Sequence, residues 1–390
     1  MEKLKELAFF EDLLTTPNNA LVEKAVEAGR IPIGYNCFTA PEPLLSVGKA
    51  FAVRLRAPQT TSTELANFYM SPFTCSYSRS ILEAALDDQY DFLRGMVFAA
   101  CCVQIQRTSH NYKIQKLKDN DGSFVHYLID VPRKMFDGNI EPLIEEFKKV
   151  AELMSTAYGI DINDDAVKKA VHEHNEFNKI LKKISDLRKL DHPKITGSEW
   201  HTVYTACKVA PKDMLIEPLK KLKVALDKRQ GLSSGVPRIM VMGSILDNSA
   251  YIELMESQGC VVVADRFCFG SLPGMELISE DGDIYRNLAL YYLETNECPR
   301  MMEKTNQRIE HAVQYVEEYK ADGIIFETMQ FCDVWGYEKL TTMKALEESG
   351  IPIVRIEREY AFAGEGQLRT RVQAFIESIV NKQLNKQLAE

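Results

Sequence analysis

Short, unbroken apolar runs separated by long amphipathic stretches set the fold of this chain within narrow limits. Ile31–Tyr35, Phe51–Leu55, Met96–Ala100 and Val125–Ile129 form one group. Ile239–Met242, Cys260–Ala264, Ile324–Phe326 and Ile353–Ile356 form another. Runs this short and this apolar leave neither face for water, so they read as strands of parallel sheets covered by helices on both sides. Between the groups the period lengthens: Leu143, Ile144, Phe147, Val150 and Leu153, then Val167, Val171, Phe177, Leu181 and Ile184, recur at helical spacing with Lys and Glu on the other faces. The stretch GLSSGVPR from Gly231 has linker composition. A helix is expected over Ser249–Ser257, another over Tyr337–Ser349, and an amphipathic one over Gln367–Leu388 at the end. The expected fold class is therefore α/β, with two open parallel-sheet units of Rossmann or flavodoxin type and a helical middle segment. The expected divisions are 1–140, 141–232 and 233–390, which is reasonable for 390 residues.

Charge excludes some classes of function. The formal net charge is -9 and no long basic block occurs, which argues against a nucleic-acid surface. No run approaches the roughly 18 apolar residues of a membrane helix. The opening MEKLKELAFFEDLL lacks an apolar signal core, so a cytoplasmic location is expected.

Cysteines carry the functional signal. There are nine: Cys37, Cys75, Cys101, Cys102, Cys207, Cys260, Cys268, Cys298 and Cys332. An odd count in a reducing compartment does not suit a disulfide framework. Cys37 follows IPIGY, Cys101 and Cys102 end MVFAACC, Cys268 follows VVVADRF, and Cys332 follows GIIFETMQF. In open α/β sheets the carboxyl ends of strands line the ligand crevice, so these thiols are directed to that edge. Cys75 lies in SPFTCSYSRS, ahead of a helix expected near Ser80. Thiolates close to helix N-termini are stabilised as anions, the form that ligates iron. Cys207 and Cys260 read instead as core thiols. There is no CxxC pair and no Cys/His pair at zinc spacing, so spacing alone leaves open both metal ligation and scattered buried thiols.

The segments around these cysteines carry a resemblance. GYNCFTAPEPLL, FTCSYSRSILEAAL, FAACCVQIQR, HYLIDVPRK, GSEWH, RIMVMGSILDN, VVVADRFCFGS, NECPRM and DGIIFETMQFCDVWGYE, with IPIVRIEREYAFAGEGQLRTRVQAFIE, resemble the 2-hydroxyacyl-CoA dehydratase subunits, relatives of benzoyl-CoA reductase and of double-cubane-cluster proteins. The run from Asp322 to Phe375 is the most specific part. The resemblance implies a [4Fe–4S] cluster held by Cys75, Cys102 and Cys332, with Cys101 as the substitute for Cys102. Cys102 is preferred because it sets Arg107 at the family's spacing. In a double-cubane protein Cys37, Cys268 and Cys298 would join the set. Two positions depart from the family pattern: Val103 stands where an Asp is usual, and Glu42 is followed by Pro43 rather than a second acid. No catalytic base is assigned.

The resemblance also implies partners and a mechanism. These are a related second iron–sulfur subunit forming a heterodimer, an ATP-dependent iron–sulfur activator that delivers one electron, and an acyl-CoA substrate. The implied reaction passes through a ketyl radical and expels the hydroxyl group of a 2-hydroxyacyl-CoA. The other readings are a benzoyl-CoA reductase-type subunit, a double-cubane [8Fe-9S] reductase, and a non-catalytic electron-relay subunit.

Further candidates have simpler explanations. His172 and His174 stand two apart in a helical stretch and do not share a face. His201 reads as a lining or capping residue. Gly364 and Gly366 suit the entry turn of the last helix. Arg79 and Arg107 suit sulfur hydrogen bonds, phosphate contact or surface ion pairs.

Overall fold

The computed structural model describes residues 4–272 and 275–389. It contains two four-stranded sheets, all parallel, with a helical segment between them in sequence. The first sheet comprises β1 (Ile31–Tyr35), β2 (Ala50–Arg54), β3 (Gly95–Ala99) and β4 (Val125–Ile129), in the order β2-β1-β3-β4. The second comprises β5 (Arg238–Gly243), β6 (Val261–Phe267), β7 (Gly323–Met329) and β8 (Ile353–Arg358), in the order β6-β5-β7-β8. The two orders are the same pattern. Each sheet therefore has a switch point, between β1 and β3 and between β5 and β7, where successive connections leave in opposite directions and open a crevice.

The expected fold class is what the chain adopts, and the strands differ from expectation mainly in their ends. β7 and β6 each run further than the apolar cores Ile324–Phe326 and Cys260–Ala264, because charged residues continue the pairing. Asp265 and Arg266 pair with Val241 and Met242, and Glu327 pairs with Gly243 and Ile356. These charges are buried and partnered: Asp265 with Arg188 at 2.6 Å, Glu327 with Arg358 at 3.0 Å. Helix Ser76–Leu86 begins four residues ahead of the expected Ser80, and helix Asp333–Glu348 four ahead of Tyr337. In both cases the helix starts immediately after a cysteine.

The middle segment is helical as expected, with Ile140–Tyr158 and Asp164–Ser185 followed by Gly197–Ala206 and Lys212–Lys228. Phe147, Val150, Val167 and Val171 pack with Ile33, Val97 and Ile129 of the first sheet. Phe177, Leu181 and Ile184 turn to a separate core with Trp200, Leu215, Leu219 and Leu222. A fully buried side chain of this kind contributes about 1.5–3 kcal/mol. One amphipathic helix thus serves two cores along its length.

The carboxyl ends of the two sheets meet. Arg54, at the end of β2, donates to the carbonyl of Cys268 after β6 at 2.6 Å. Arg56 bonds Asp247 at 3.2 Å, and Tyr360 holds the same carboxylate at 2.6 Å while its hydroxyl receives the Ala57 N–H at 3.0 Å. Gly243 permits the tight exit from β5. Its φ is +141°, and a Cβ there would lie 1.8 Å from the Glu327 carbonyl oxygen.

Candidate functional site

The crevice where the two sheet edges meet is lined by thiols. Cys37 follows β1, Cys101 and Cys102 follow β3, Cys268 follows β6, and Cys332 follows β7. Cys75 and Cys298 come from loops between elements. All nine cysteines are free.

Three of them share a local setting. Cys75 is the N-cap residue of helix Ser76–Leu86, Cys102 of Val103–Lys116, and Cys332 of Asp333–Glu348. N-caps are normally Ser, Thr, Asp or Asn, whose oxygens accept from the helix's free N–H groups. A thiolate placed there meets the same donors and the positive end of the helix dipole. The Cys102 sulfur already accepts from the Ile105 N–H at 3.5 Å. The turn before Cys332 is made by Phe331 at φ 60°, a left-handed conformation unusual for a bulky residue.

A single side chain ties these caps together. Gln104, two residues past Cys102, accepts from the backbone N–H of Cys75 at 2.5 Å. Its amide nitrogen donates to the Phe331 carbonyl at 2.9 Å and to Asp333 at 2.8 Å, on either side of Cys332. Met329 adds a second tie, its sulfur receiving the Tyr77 N–H at 3.3 Å and lying 3.4 Å from the Cys75 sulfur. Sequence reasoning missed Gln104 because a lone glutamine carries no motif.

The remaining edge thiols extend the patch in two directions. Cys101 lies in hydrogen-bonding contact with both Cys102 and Cys37. Cys268 is in contact with Cys298 and receives the Trp335 indole N–H at 3.3 Å. Hydrogen bonding from Cys101, helped by Arg54 and Thr39 and opposed by burial, pulls the Cys37 thiol down to about 6. The same contact lowers Cys102, while Cys101, bonded to both neighbours, is pushed well up. Burial pushes Cys75 up to about 11 and also raises Cys332, with the neighbouring thiols adding to it. Thiols that raise one another in this way would gain from a shared cation, which relieves their mutual repulsion.

Cys207 and Cys260 stand apart. Cys207 packs in the core with Trp200 and Leu215, and Cys260 donates to the Met255 carbonyl at 3.2 Å. Burial pushes each up to about 12. Both are core thiols.

Other residues noted in the sequence lie elsewhere. His172 faces Glu280 at 2.9 Å, whereas His174 is buried against Lys212 at 2.6 Å, so the two do not converge. His201 is buried with its ring edge toward Phe267, inside helix Gly197–Ala206, whose cap is Thr196. It does not serve as a cap. Gly364, at φ +71°, immediately precedes helix Glu365–Ala389. Arg107 is exposed, while Arg79 is buried and donates to Thr74, Thr63 and Asn67. Surface ion pairing therefore does not describe Arg79.

The donor set suits an iron–sulfur centre. Among the described residues no three His, Cys, Asp or Glu side chains are spaced for a single metal ion. A cubane makes a different demand, since each thiolate binds its own iron and the sulfurs stand further apart. Soft thiolate donors from separate loops, with N–H groups aimed at them, are the ligand chemistry of such clusters. Beside the thiols runs a cleft of about 550 Å³, lined by Cys101, Cys102, Arg133, Arg300, Asp333 and Tyr337.

Fold and thiol edge together define an α/β protein whose crevice is lined by free cysteines from several strand ends. The chain belongs to the family described as 2-hydroxyglutaryl-CoA dehydratase, D-component, which it matches over residues 37–379. It is 26% identical to the (R)-phenyllactyl-CoA dehydratase beta subunit of Clostridium sporogenes over 370 residues, covering 95% of this chain and 97% of that one. Over 244 residues it is 29% identical to the putative dehydratase subunit YjiM of Escherichia coli, covering 60% and 62% of the two chains. It is also 24% identical to a benzoyl-CoA reductase subunit of Thauera aromatica, covering 80% and 81%. No helix among the described residues is long and apolar enough to cross a membrane.

Proposed function

We propose that this chain is the iron–sulfur subunit of a 2-hydroxyacyl-CoA dehydratase, with Cys75, Cys102 and Cys332 as thiolate ligands of one [4Fe–4S] cluster. The observation that carries the reading is that these three cysteines, and no other edge thiol, are helix N-caps joined through Gln104. When bound, such a cluster supplies a low-potential electron and a Lewis-acidic iron. The helix N-termini favour the thiolate forms, and Gln104 sets the spacing of the loops. Trp335 and Met329 are buried walls that keep water from the thiols. The cleft beside Cys101 and Cys102 falls in the size range of small-molecule sites, and among its mixed charges Arg133 and Arg300 offer guanidinium contacts to the phosphates of an acyl-CoA, beside Asp333 and Glu338.

The proposed reaction is radical elimination of water from a 2-hydroxyacyl-CoA after ATP-driven one-electron activation. The proposed partners are a related second iron–sulfur subunit and an ATP-dependent activator. The beta-subunit name of the Clostridium relative supports a multi-subunit assembly. A larger double-cubane centre is the second reading. It is favoured by the Cys37–Cys101–Cys102 and Cys268–Cys298 contacts, which bring further thiols to the same edge.

Anaerobic purification with the neighbouring subunit, then iron and sulfide counting, separates these readings. About four irons per chain supports a single cubane and about eight the double one. A panel of 2-hydroxyacyl- and aromatic acyl-CoAs with activator and ATP then distinguishes dehydratase from reductase. Cys332→Ser should strip iron and abolish turnover with the fold retained. Full iron content in that variant would exclude the assignment.

A further inference from the structure

Among the described residues eight arginines are buried: Arg54, Arg56, Arg79, Arg188, Arg266, Arg300, Arg308 and Arg358. Five have a carboxylate partner. Arg56 pairs with Asp247, Arg188 with Asp265, Arg266 with Glu297, Arg308 with Glu338, and Arg358 with Glu327. Buried guanidinium groups nearly always have such partners, because an uncompensated charge away from water is costly. The other three have none among the described residues, and all three lie at the thiol edge.

Arg54 is 3% exposed, stacks on Phe269 at 3.9 Å, and donates to the carbonyl of Cys268 at 2.6 Å. Its Nε has no partner, and the ionisable groups around it include the phenols of Tyr35, Tyr77 and Tyr204 and the Cys37 thiol. Arg79 donates to the carbonyl of Thr74, the residue before Cys75, at 3.1 Å, and otherwise only to neutral oxygens of Thr63 and Asn67. Arg300 donates to the carbonyls of Ala100, the residue before Cys101, and of Val131 and Pro132, and its Nε is also unpartnered. Every carboxylate-free buried arginine thus holds the backbone at a cysteine or one residue before it. Every paired one has an acid beside it, including Arg308, which also donates to the Cys298 carbonyl at 3.1 Å but is neutralised by Glu338.

We infer that Arg54, Arg79 and Arg300 are positioning residues that provide the counter-charge for the anionic centre held by the edge thiols. This inference rests on the cluster reading above. A centre of thiolates, sulfides and iron carries net negative charge, and reduction adds one more. A fixed buried cation therefore favours the reduced form, and its removal should make reduction harder. The arrangement also explains why no acid is ion-paired directly with these three arginines, although Asp333 and Glu338 share the cleft wall with Arg300. A carboxylate in direct contact would cancel most of the field that they supply.

The test uses the anaerobically purified holoprotein, with Arg54→Gln, Arg54→Lys, Arg79→Gln, Arg79→Lys, Arg300→Gln and Arg300→Lys. Exposed Arg107→Gln serves as a control whose charge is screened by solvent. Iron per chain and the midpoint potential, followed by electron paramagnetic resonance during a redox titration, are the readouts. Each Gln variant should lower the reduction equilibrium constant about tenfold, which for one electron is about 59 mV more negative. Each Lys variant should recover most of that loss, and Arg107→Gln should not move the potential. Loss of iron in a Gln variant with retention in its Lys counterpart also supports the inference. Wild-type protein without iron would defeat the cluster reading itself. Iron-loaded wild type with Gln variants at the same potential, or Gln and Lys variants equally impaired, would overturn the counter-charge role alone.

Discussion

Gln104 accepts a 2.5 Å hydrogen bond from the backbone N–H of Cys75. The two residues lie on different helices, and the other end of the same amide reaches across to the loop of Cys332. One neutral side chain therefore sets the separation of three helix N-termini.

Replacing Gln104 with Ala should loosen that arrangement without unfolding the chain. The contacts to Phe331 and Asp333 are partly open to solvent, so the stability loss should be about 1–2 kcal/mol, read as a shift in urea midpoint. Iron retention during anaerobic gel filtration should fall by more than that modest change implies. Gln104→Glu should behave worse than Ala, because its carboxylate would face Asp333. Wild-type iron retention in both variants would remove Gln104 from the site.

Thiol labelling should divide the cysteines into two groups. After removal of iron by oxidation and a chelator, the edge thiols should alkylate, those of Cys37 and Cys102 fastest because their neighbours favour the thiolate. Cys207 and Cys260 should stay unmodified in either state, being buried and pushed up to about 12. Mass spectrometry of native, metal-free protein reads this directly. Rapid modification of Cys207 would contradict its place in the core.

His201 should make the fold acid-sensitive. Burial, aided by Arg56 and Arg358 and opposed by Asp265 and Asp247, holds its imidazole down to about 4. Between about 6.5 and 4 the unfolded chain binds a proton that the folded chain refuses, so stability is full above this window and falls as pH drops through it. The shift corresponds to roughly 3 kcal/mol by the bottom of the window. Urea midpoints at pH 7 and pH 4.5 should differ less in His201→Phe than in wild type. An unchanged difference would mean that the imidazole titrates normally.

Much of the architecture was legible from periodicity. Parallel strands buried on both faces must be continuously apolar, so IPIGY and GIIFETM betray themselves whatever surrounds them. Strand ends were less clear where charges enter the sheet. Asp265 and Glu327 sit in strands only because Arg188 and Arg358 come from distant elements to pair with them. The start of the helix after Cys75 was misplaced for a related reason. The serines of SYSRS favour caps over helix interiors, but here they are buried in the first turns. Arg79 gave no sign of being buried without an acid, since nothing local distinguishes it from Arg107.

The linear order of residues is enough to set the alternation of strand and helix and the position of cysteines just past strand ends. Those follow from short-range physics, the pairing of an apolar period with a turn. Which thiols stand at helix N-caps, the binding of their loops by Gln104, and the lack of a paired acid at three buried arginines emerge only once the chain has folded. The last two depend on groups far apart in the chain, and a linear pattern carries no record of such distances until the two sheet edges are brought face to face.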